Sequence, residues 1–161
     1  QAVGALQEVL SNTPEEVALI IENSAGMGSH IGASFGEIGR LIDAIGSPRV
    51  MVCLDTEHCF AAGYNLADPE GIDVAMDEFD REIGLAKLVA VHANDAKVEL
   101  GSGVDRHENI GEGHMGLEPF RHILNDPLSK ELPMYLETPK GDRDDRTLDA
   151  VNLETLRRLI S

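Results

Sequence analysis

The sequence predicts an α/β protein in which parallel strands alternate with helices. Four apolar stretches each end on a side chain that binds metals well, namely Glu22, Asp55, His92 and Glu137. These residues are separated by 33, 37 and 45 positions, which matches one strand, one helix and two loops per unit. Because parallel strands end at the same edge of a sheet, we expect the four side chains to surround one mouth.

The predicted strands are short and apolar, and the predicted helices lie between and around them. The strands begin at Ile20, Met51, Leu88 and Met134. Helical spacing of apolar residues is found over Ala2 to Leu10, Ile31 to Ile45, Pro69 to Lys87, Leu117 to Asn125 and Leu148 to Ile160. The helix at Pro69 has the clearest start, because Asp68 can cap it and Pro suits the first helical position. In the last helix, Leu153, Leu156 and Ile160 share one face.

Four strands do not complete an architecture of this kind. The chain opens on Gln1, and its first predicted helix has the character of a segment that follows an earlier element. Four parallel strands cannot close into a barrel, and an open sheet leaves two unpaired edges and an uncovered inner face. We therefore expect residues 1–161 to form a single partial domain that needs either a missing N-terminal half or a second copy of the chain.

The composition is that of a globular domain with a strongly acidic surface. Apolar residues make up 42% of the chain, and the sequence has neither a membrane-spanning segment nor a signal peptide, so we expect a cytoplasmic protein without a membrane partner. The formal net charge of −16 is unfavourable for nucleic-acid binding, which usually requires a basic patch. Carboxylates that bind divalent cations would account for part of that charge. Cys53 and Cys59 lack disulfide-framework spacing and are expected to be reduced thiols.

Each candidate ligand also has a structural interpretation. Glu22 could pair with a basic residue, although none is near it in sequence. Asp55 could cap the turn that follows its strand, and His92 could be a hydrogen-bonded core histidine. Asp105 and His107 could belong to a charged loop, although the D-x-H spacing places both side chains on one side of an extended chain. Taken one residue at a time, these alternatives stay open.

Six motifs taken together resemble one family. They are Ile21 to Gly28, Cys53 to His58, Phe60 to Tyr64, His92 to Lys97, Val104 to Gly113 and Glu137 to Lys140. In this order and at this spacing they strongly resemble the endonuclease IV family of apurinic/apyrimidinic endonucleases. The resemblance covers essentially the whole chain, but only the C-terminal half of that family's TIM-type (β/α)8 barrel.

The resemblance implies a DNA-repair hydrolase. The family uses up to three zinc ions at the barrel mouth to cleave the phosphodiester 5′ to an abasic site in double-stranded DNA by metal-activated hydroxide, which leaves a 3′-hydroxyl. The metal ligands implied for this chain are Glu22, Asp55, His58, His92, Asp105, His107 and Glu137. Of these, Glu22 would bridge two ions, and Glu22 and Glu137 are the implied catalytic residues.

The resemblance also divides the ligands between ions. The group that would complete one ion site beside the bridging Glu22 is Asp55, His92 and Glu137. The group that would hold a separate ion is His58, Asp105 and His107. Two histidines that the family supplies to the remaining ion have no match in this chain. Zinc suits these mixed nitrogen and oxygen ligands, and manganese fits the same donors.

Basic residues and a glycine-rich loop near the ligands are candidates for phosphate binding. Arg106 and Lys140 adjoin implied ligands, so we expect contact with DNA phosphate, with plain surface charge as the alternative. The loop from Gly111 to Gly116 is formally G-x-G-x-x-G, but no strand runs directly into it, which argues against a dinucleotide site. Its backbone N–H groups could instead meet a DNA phosphate.

Two other functions stay open. A metal-dependent sugar isomerase of the xylose isomerase-like barrels would place similar ligands at its strand ends, but it would not need the further site at His58, Asp105 and His107. An inactive metal-binding fragment is the second alternative. The early loops that insert into the abasic gap in the resembled family are absent here. We therefore expect the isolated chain to be weakly active at best.

Overall fold

The computed structural model describes residues 1–161 and contains short strands alternating with helices. In chain order the strands are β1 (Leu19–Glu22), β2 (Val50–Asp55), β3 (Leu88–His92), β4 (Asp95–Ala96), β5 (His107–Glu108), β6 (Met134–Tyr135), β7 (Asp142–Arg143) and β8 (Arg146–Thr147). The helices are α1 (Ala2–Ser11), α2 (Phe35–Ile45), α3 (Thr56–Ala62), α4 (Pro69–Glu82), α5 (Glu118–Asn125) and α6 (Leu148–Arg157). None of these helices has the length and apolar character needed to cross a membrane.

The main sheet has four parallel strands in the order β1-β2-β3-β6. Glu22 lies opposite Cys53 in the register, and Asp55 lies opposite His92. His92 in turn lies opposite Tyr135 of β6. The C-terminal ends of all four strands therefore meet along one edge, as the spacing of the candidate ligands predicts. Two-stranded antiparallel pairs, β4 with β5 and β7 with β8, lie outside this sheet.

One face of the sheet packs against the helices and forms the hydrophobic core. Alternate residues of β2, Val50, Val52 and Leu54, are buried there, because successive side chains of a strand point to opposite faces. Phe35 of α2 stacks on Tyr64 with ring centroids 4.2 Å apart. It also meets Phe79 of α4 edge-on at 5.3 Å, so α2 and α4 are fixed to each other by aromatic contact.

The opposite face of the sheet is open below the row of candidate ligands. Ile20 on β1 is 51% exposed and Tyr135 on β6 is 55% exposed, although both are large apolar or aromatic side chains. These two strands are also the outer strands of the sheet, so each has only one neighbour. The open face and free edges agree with the expectation of an incomplete barrel.

Helix boundaries differ from the sequence-based prediction in several places, and the last helix ends at Arg157, not at Ile160. The second helix begins at Phe35, not Ile31, because Ser34 caps it by accepting the Glu37 N–H at 3.3 Å. The helix at Pro69 begins where predicted, and Asp68 accepts the Gly71 N–H at 2.8 Å. It ends at Glu82 and is followed by a separate 3-10 turn at Leu85–Lys87, so the predicted continuous helix to Lys87 is wrong.

Close packing between α2 and α4 depends on one glycine. A Cβ atom at Gly39 would lie 2.1 Å from the backbone carbonyl oxygen of Glu82, which no side chain can tolerate. The absence of a side chain therefore lets α2 approach the C-terminal end of α4. This contact holds the two helices against the same face of the sheet.

Candidate metal centre

Four of the predicted ligands lie in a row along one edge of the sheet. Glu22, Asp55 and His92 are the last residues of β1, β2 and β3. Glu137 follows two residues after the end of β6. Because the strands are parallel and these residues fall on the same side of the pleat, their side chains converge at the C-terminal edge.

We call Glu22, Asp55, His92 and Glu137 the strand-end cluster. His92 lies at its centre, with Nδ1 3.1 Å from Glu22 Oε1 and 3.3 Å from Glu137 Oε2. The Asp55 Oδ2 atom is 3.7 Å from the same nitrogen. One ligand atom from each of the four residues lies within 4.8 Å of the others. The side chain of Glu137 is 51% exposed, so this cluster is open on the side that a substrate would approach.

A second group of ligands is built by a helix and a loop. Asp55 accepts a hydrogen bond from the His58 backbone N–H at 2.9 Å, so α3 begins directly after β2. His58 Nε2 lies 3.3 Å from Asp105 Oδ2, and His107 Nε2 lies 3.5 Å from Asp105 Oδ1. We call Glu57, His58, Asp105 and His107 the helix–loop cluster. Asp55 is thus both the N-cap of a helix and a member of the site, two roles that the sequence presented as alternatives.

The two clusters adjoin each other. His58 Nδ1 is 3.3 Å from Glu22 Oε1, and the rings of His58 and His107 are 5.4 Å apart. Asp55 Oδ2 lies between the clusters, 3.7 Å from His92 Nδ1 and 3.9 Å from His107 Nε2. All seven predicted ligands therefore come together in one continuous site.

Negative charge dominates this site, and the only basic groups within 4.0 Å of its carboxylates are histidines. Burial lowers the pKa of His58, but hydrogen bonding to Glu22 and the charges of Asp55 and Asp105 raise that pKa to about 10 overall. Hydrogen bonding to Asp55 and the charge of Glu22 raise the pKa of His92 to about 9. The carboxylates thus attract protons to the imidazoles, and the same field attracts a divalent cation.

Two buried asparagines hold the ligands in place. Asn94 donates from Nδ2 to Asp55 Oδ2 at 2.7 Å, and its Oδ1 accepts the Glu137 backbone N–H at 2.8 Å. Asn23 Oδ1 accepts the Asp55 N–H at 2.7 Å. Asn23 also donates to Cys59 Sγ at 3.3 Å, and Cys59 belongs to neither cluster. The sequence placed both asparagines beside ligands, but it gave no sign that they connect separate strands.

The sequence-based prediction missed Glu57. This side chain is completely buried, and burial raises the pKa of its carboxyl group. Glu57 Oε2 and His107 Nε2 have no hydrogen-bond partner, although both are buried side-chain atoms. Two ligand atoms that face each other without hydrogen-bond partners fit a metal-binding site. A signal was available, since an N-cap at Asp55 places Glu57 in the first turn of a helix that starts inside the site.

The two basic residues predicted to contact phosphate occupy different surroundings. Arg106 is exposed, and its guanidinium donates to the backbone carbonyl of Asp105 at 2.7 Å. Lys140 is also exposed, but its Nζ pairs with Asp149 Oδ1 of α6 at 2.7 Å. A phosphate could therefore meet Arg106 directly, whereas Lys140 would have to exchange its partner. Contact with DNA stays a prediction for both residues.

The glycine-rich loop does not offer free N–H groups to a phosphate. The carboxylate of Asp95 accepts hydrogen bonds from the backbone N–H groups of Gly111, Gly113 and Met115 at 2.9, 3.0 and 3.1 Å. A Cβ atom at Gly113 would lie 2.5 Å from Asp95 Oδ1, so glycine is required for this approach. The expectation of a phosphate-binding loop is wrong here, because an internal carboxylate already occupies its donors.

Comparison with known proteins agrees with the fold and the arrangement of the site. The family model described as the xylose isomerase-like TIM barrel matches residues 1–159. The chain therefore belongs to the xylose isomerase-like TIM barrel family, and its four parallel strands with alternating helices are part of such a barrel.

Within that family, the curated relatives carry the name endonuclease 4. The chain is 48% identical over 158 residues to "Probable endonuclease 4" of a Geobacter species, which covers 97% of this chain and 55% of the relative. It is 47% identical over 161 residues to the protein of that name in Trichlorobacter lovleyi, covering 99% of this chain and 57% of the relative. The resemblance to endonuclease IV is confirmed. The chain spans about half the length of the curated relatives it matches.

Solved structures give the same result. Endonuclease IV from Thermus thermophilus superposes with a TM-score of 0.81 at 34% identity, over 98% of this chain and 57% of that structure. A xylose isomerase domain protein from Alicyclobacillus acidocaldarius superposes with a TM-score of 0.58 at 21% identity, over 96% of this chain and 53% of that structure. The second likeness shows the shared barrel fold alone.

Proposed function

We propose that this chain carries the metal-binding part of a DNA-repair endonuclease of the endonuclease IV type. The reaction is hydrolysis of the phosphodiester 5′ to an abasic site in double-stranded DNA, which leaves a 3′-hydroxyl. The observation that carries this proposal is the convergence of all seven motif-matched residues in two adjoining clusters at the C-terminal edge of the sheet. The relatives named endonuclease 4 support it.

The chemistry of the donor atoms supports zinc as the cofactor. Imidazole nitrogens and carboxylate oxygens are the ligands of catalytic zinc sites, although manganese fits the same donors. Zinc would supply a water of lowered pKa and would neutralise charge on the phosphate and on the departing oxygen. Up to three ions are expected in the family's complete site, and the two clusters of this chain provide donors for the ions assigned to them above.

Individual residues of the site have different proposed roles. Glu22 Oε1 lies 3.1 Å from His92 Nδ1 and 3.3 Å from His58 Nδ1, so this carboxylate lies where the two clusters adjoin. Glu137 is the most exposed member of the strand-end cluster, and it is placed to meet the substrate side. Asp55 is ionised while buried, because hydrogen bonding to His92 and the charge of His58 lower its pKa despite desolvation. We assign catalytic roles to Glu22 and Glu137 and ligand roles to the others.

DNA binding by this chain requires cations to offset its acidic charge. The chain has a formal net charge of −16, and phosphate repulsion by such a surface is strong at low salt. Bound divalent ions would neutralise the carboxylates of the two clusters. Arg106, which is exposed beside Asp105, would add a positive group at the rim of the site.

A complete barrel requires further strands against the open face. The exposed Ile20 and Tyr135 and the two free sheet edges support a partner that covers them. We propose that this partner is an N-terminal half of the barrel or a second copy of this chain. The two histidines of the family that have no match here would come from that missing half.

The isomerase alternative is less well supported. The strand-end cluster alone would suit a two-metal sugar isomerase. The helix–loop cluster adds three motif-matched donors, with His58 and His107 each within 3.5 Å of Asp105. That additional site favours phosphodiester hydrolysis over sugar isomerisation.

The test combines metal analysis with a cleavage assay. Protein stripped with a chelator is reloaded with Zn²⁺, its metal content per chain is measured, and it is incubated with a duplex that carries one abasic site. Two or more ions with incision 5′ to the lesion would support the proposal. Ions without incision would support it if the N-terminal half added in trans restores cleavage, and would identify an inactive metal-binding fragment if it does not. Failure to bind any metal would refute it. An undamaged duplex and His92→Gln are the controls.

A further inference from the structure

Glu57 is positioned by the first turn of α3, in the interior of the site. Its side chain is 0% exposed. One carboxylate oxygen, Oε1, accepts the backbone N–H of Arg106 at 3.0 Å. The other, Oε2, has no hydrogen-bond partner. A buried carboxylate oxygen without a hydrogen-bond donor costs free energy. Oε1 therefore has a structural role, and Oε2 has none.

The unpartnered oxygen faces three other metal-binding groups. Glu57 Oε2 lies 3.8 Å from His107 Nε2 and 3.9 Å from His58 Nε2. Asp105 has oxygens 3.3 and 3.5 Å from the same two nitrogens. Ligand atoms around a tetrahedral zinc ion with bonds of about 2.0–2.2 Å lie about 3.3–3.6 Å apart. These four groups have close to that separation.

Both histidines direct Nε2 into this space, where a bound metal ion would take the place of the proton on that nitrogen. His58 Nδ1 lies 2.9 Å from the carbonyl oxygen of Asn23, and His107 Nδ1 lies 3.1 Å from the carbonyl oxygen of Glu137. A carbonyl oxygen can only accept, so each Nδ1 carries the hydrogen and each Nε2 can act as a metal ligand. Hydrogen bonds of this kind orient metal-binding histidines.

Asp55 is the other buried carboxylate near this space, but its oxygens already accept hydrogen bonds. Oδ1 accepts the His58 N–H at 2.9 Å and Oδ2 accepts from Asn94 at 2.7 Å. Of these two buried carboxylates, only Glu57 has an oxygen without a hydrogen-bond partner. Asp55 thus supports the site through its hydrogen bonds, whereas Glu57 has an oxygen that lacks a partner.

We propose that Glu57 is a fourth protein ligand of the ion held by His58, Asp105 and His107. The inference rests on the proposed metal-dependent function and adds to it. An ion with four protein ligands resembles a closed structural site, whereas three ligands leave a position open for water or substrate. The ion in the helix–loop cluster would therefore be bound more tightly and exchange more slowly than an ion held by His58, Asp105 and His107 alone.

The test is the Zn²⁺ affinity of Glu57→Gln, measured by competition with a chromophoric chelator on the purified protein. Glutamine keeps an oxygen for the Arg106 N–H but replaces the unpartnered oxygen with an amide NH₂. We expect one ion to bind at least about 100-fold more weakly, because even loss of a group that only orients a ligand costs 10- to 100-fold. The remaining ions should keep their affinity. The visible absorption of the Co²⁺-loaded protein should change as well, which reports the ligand set independently of activity.

Glu70→Gln is the matched control. Glu70 also lies in the first turn of a helix, α4, but it is exposed and has no part in either cluster. Its substitution should leave both the affinity and the Co²⁺ spectrum unchanged. Should Glu57→Gln not fold, Glu57→Asp can be used instead. Aspartate keeps the charge, but its shorter side chain withdraws the carboxylate oxygens from the histidines.

The outcomes separate this inference from the proposed function. Wild-type protein that binds no metal would overturn both. Wild-type protein that binds metal, with an unchanged affinity and Co²⁺ spectrum for Glu57→Gln, would overturn the role of Glu57 alone. A selective loss of one ion would establish it.

Discussion

The strand-end cluster and the helix–loop cluster differ in how the chain builds them. The strand-end cluster takes its members from the C-terminal ends of separate parallel strands, and its Glu137 side chain is 51% exposed. The helix–loop cluster takes its members from one helical turn and one loop: its Glu57 and His58 side chains are 0% and 12% exposed, whereas Asp105 on the loop is 49% exposed. The exposed Glu137 and Asp105 leave both clusters accessible to substrate, and the buried Glu57 and His58 suit an ion that is retained.

Asp55 is where the two clusters meet, and its replacement should have the largest effect. Asp55→Asn keeps the side-chain shape and one oxygen to cap α3, but it removes a buried charge close to both His92 and His107. We expect Zn²⁺ affinity to fall about 100-fold or more in both clusters, and incision to fall at least as far. Metal content and competition titration would measure the loss.

Glu137→Gln is the matching substitution at a residue that belongs to one cluster only. Glu137 side-chain oxygens lie near His92 and not near the histidine of α3, so this substitution should weaken only the strand-end ion. If Asp55→Asn also released a single ion, the clusters would be independent and the shared role of Asp55 would be wrong.

The next largest effect is expected at Asn94, which supports only the strand-end cluster directly. Asn94→Ala removes the donor to Asp55 and the acceptor for the Glu137 N–H, which leaves one buried and one part-buried group without these partners. Since an unsatisfied buried group costs 1–3 kcal/mol, we expect a loss of about 3 kcal/mol in the free energy of unfolding. Urea denaturation in the presence of chelator would measure it without a contribution from bound metal.

An exposed asparagine gives the control for Asn94. Asn12 donates to the Glu8 carbonyl at the end of α1, where water can replace the lost hydrogen bond. Asn12→Ala should therefore change stability by less than about 0.5 kcal/mol. Similar losses for the two variants would mean that Asn94 does not have the supporting role assigned to it.

The same contrast explains which parts of the site could be predicted from the sequence. Strand-end ligands follow a simple rule, since an apolar run that ends on Glu22, Asp55 or His92 marks the edge where parallel strands meet. The N-cap at Asp68 is equally local, and the structure places the strand ends and the cap where the sequence predicts them. Such features depend on a few neighbouring residues, so a single sequence carries them.

The features that were missed depend on contacts between distant segments. Glu57 is important because the loop at Arg106 and His107, about fifty positions later, lies over it. Asp95 fills the glycine-rich loop from inside, and nothing in the loop's own sequence excludes a phosphate there. The resemblance to a family supplied the positions of the ligands, but it did not supply the residues that hold them or the additional carboxylate of this chain.

The smallest expected effect concerns the outer support of the helix–loop cluster, which is exposed and electrostatic. Arg143 of the β7–β8 hairpin pairs with Glu112, with Nη2 2.9 Å from Oε2, and thereby holds the loop that follows β5. Hydrogen bonding to Arg143 lowers the pKa of Glu112 below its ordinary value of 4.5. A carboxyl group with a lowered pKa in the folded state stabilises the fold above its unfolded pKa. That contribution is lost as the pH falls through the folded pKa.

Glu112→Gln should therefore lower Tm slightly at pH 7, by no more than about 2 °C, because exposed ion pairs contribute little. The difference from wild type should shrink as the pH falls below 4.5, and it should also shrink in 1 M salt, where the screening length is about 3 Å. Glu99→Gln, at an exposed glutamate without an ion pair, is the control. A Tm difference that persists in acid and in high salt would show that packing, and not charge, supports this loop.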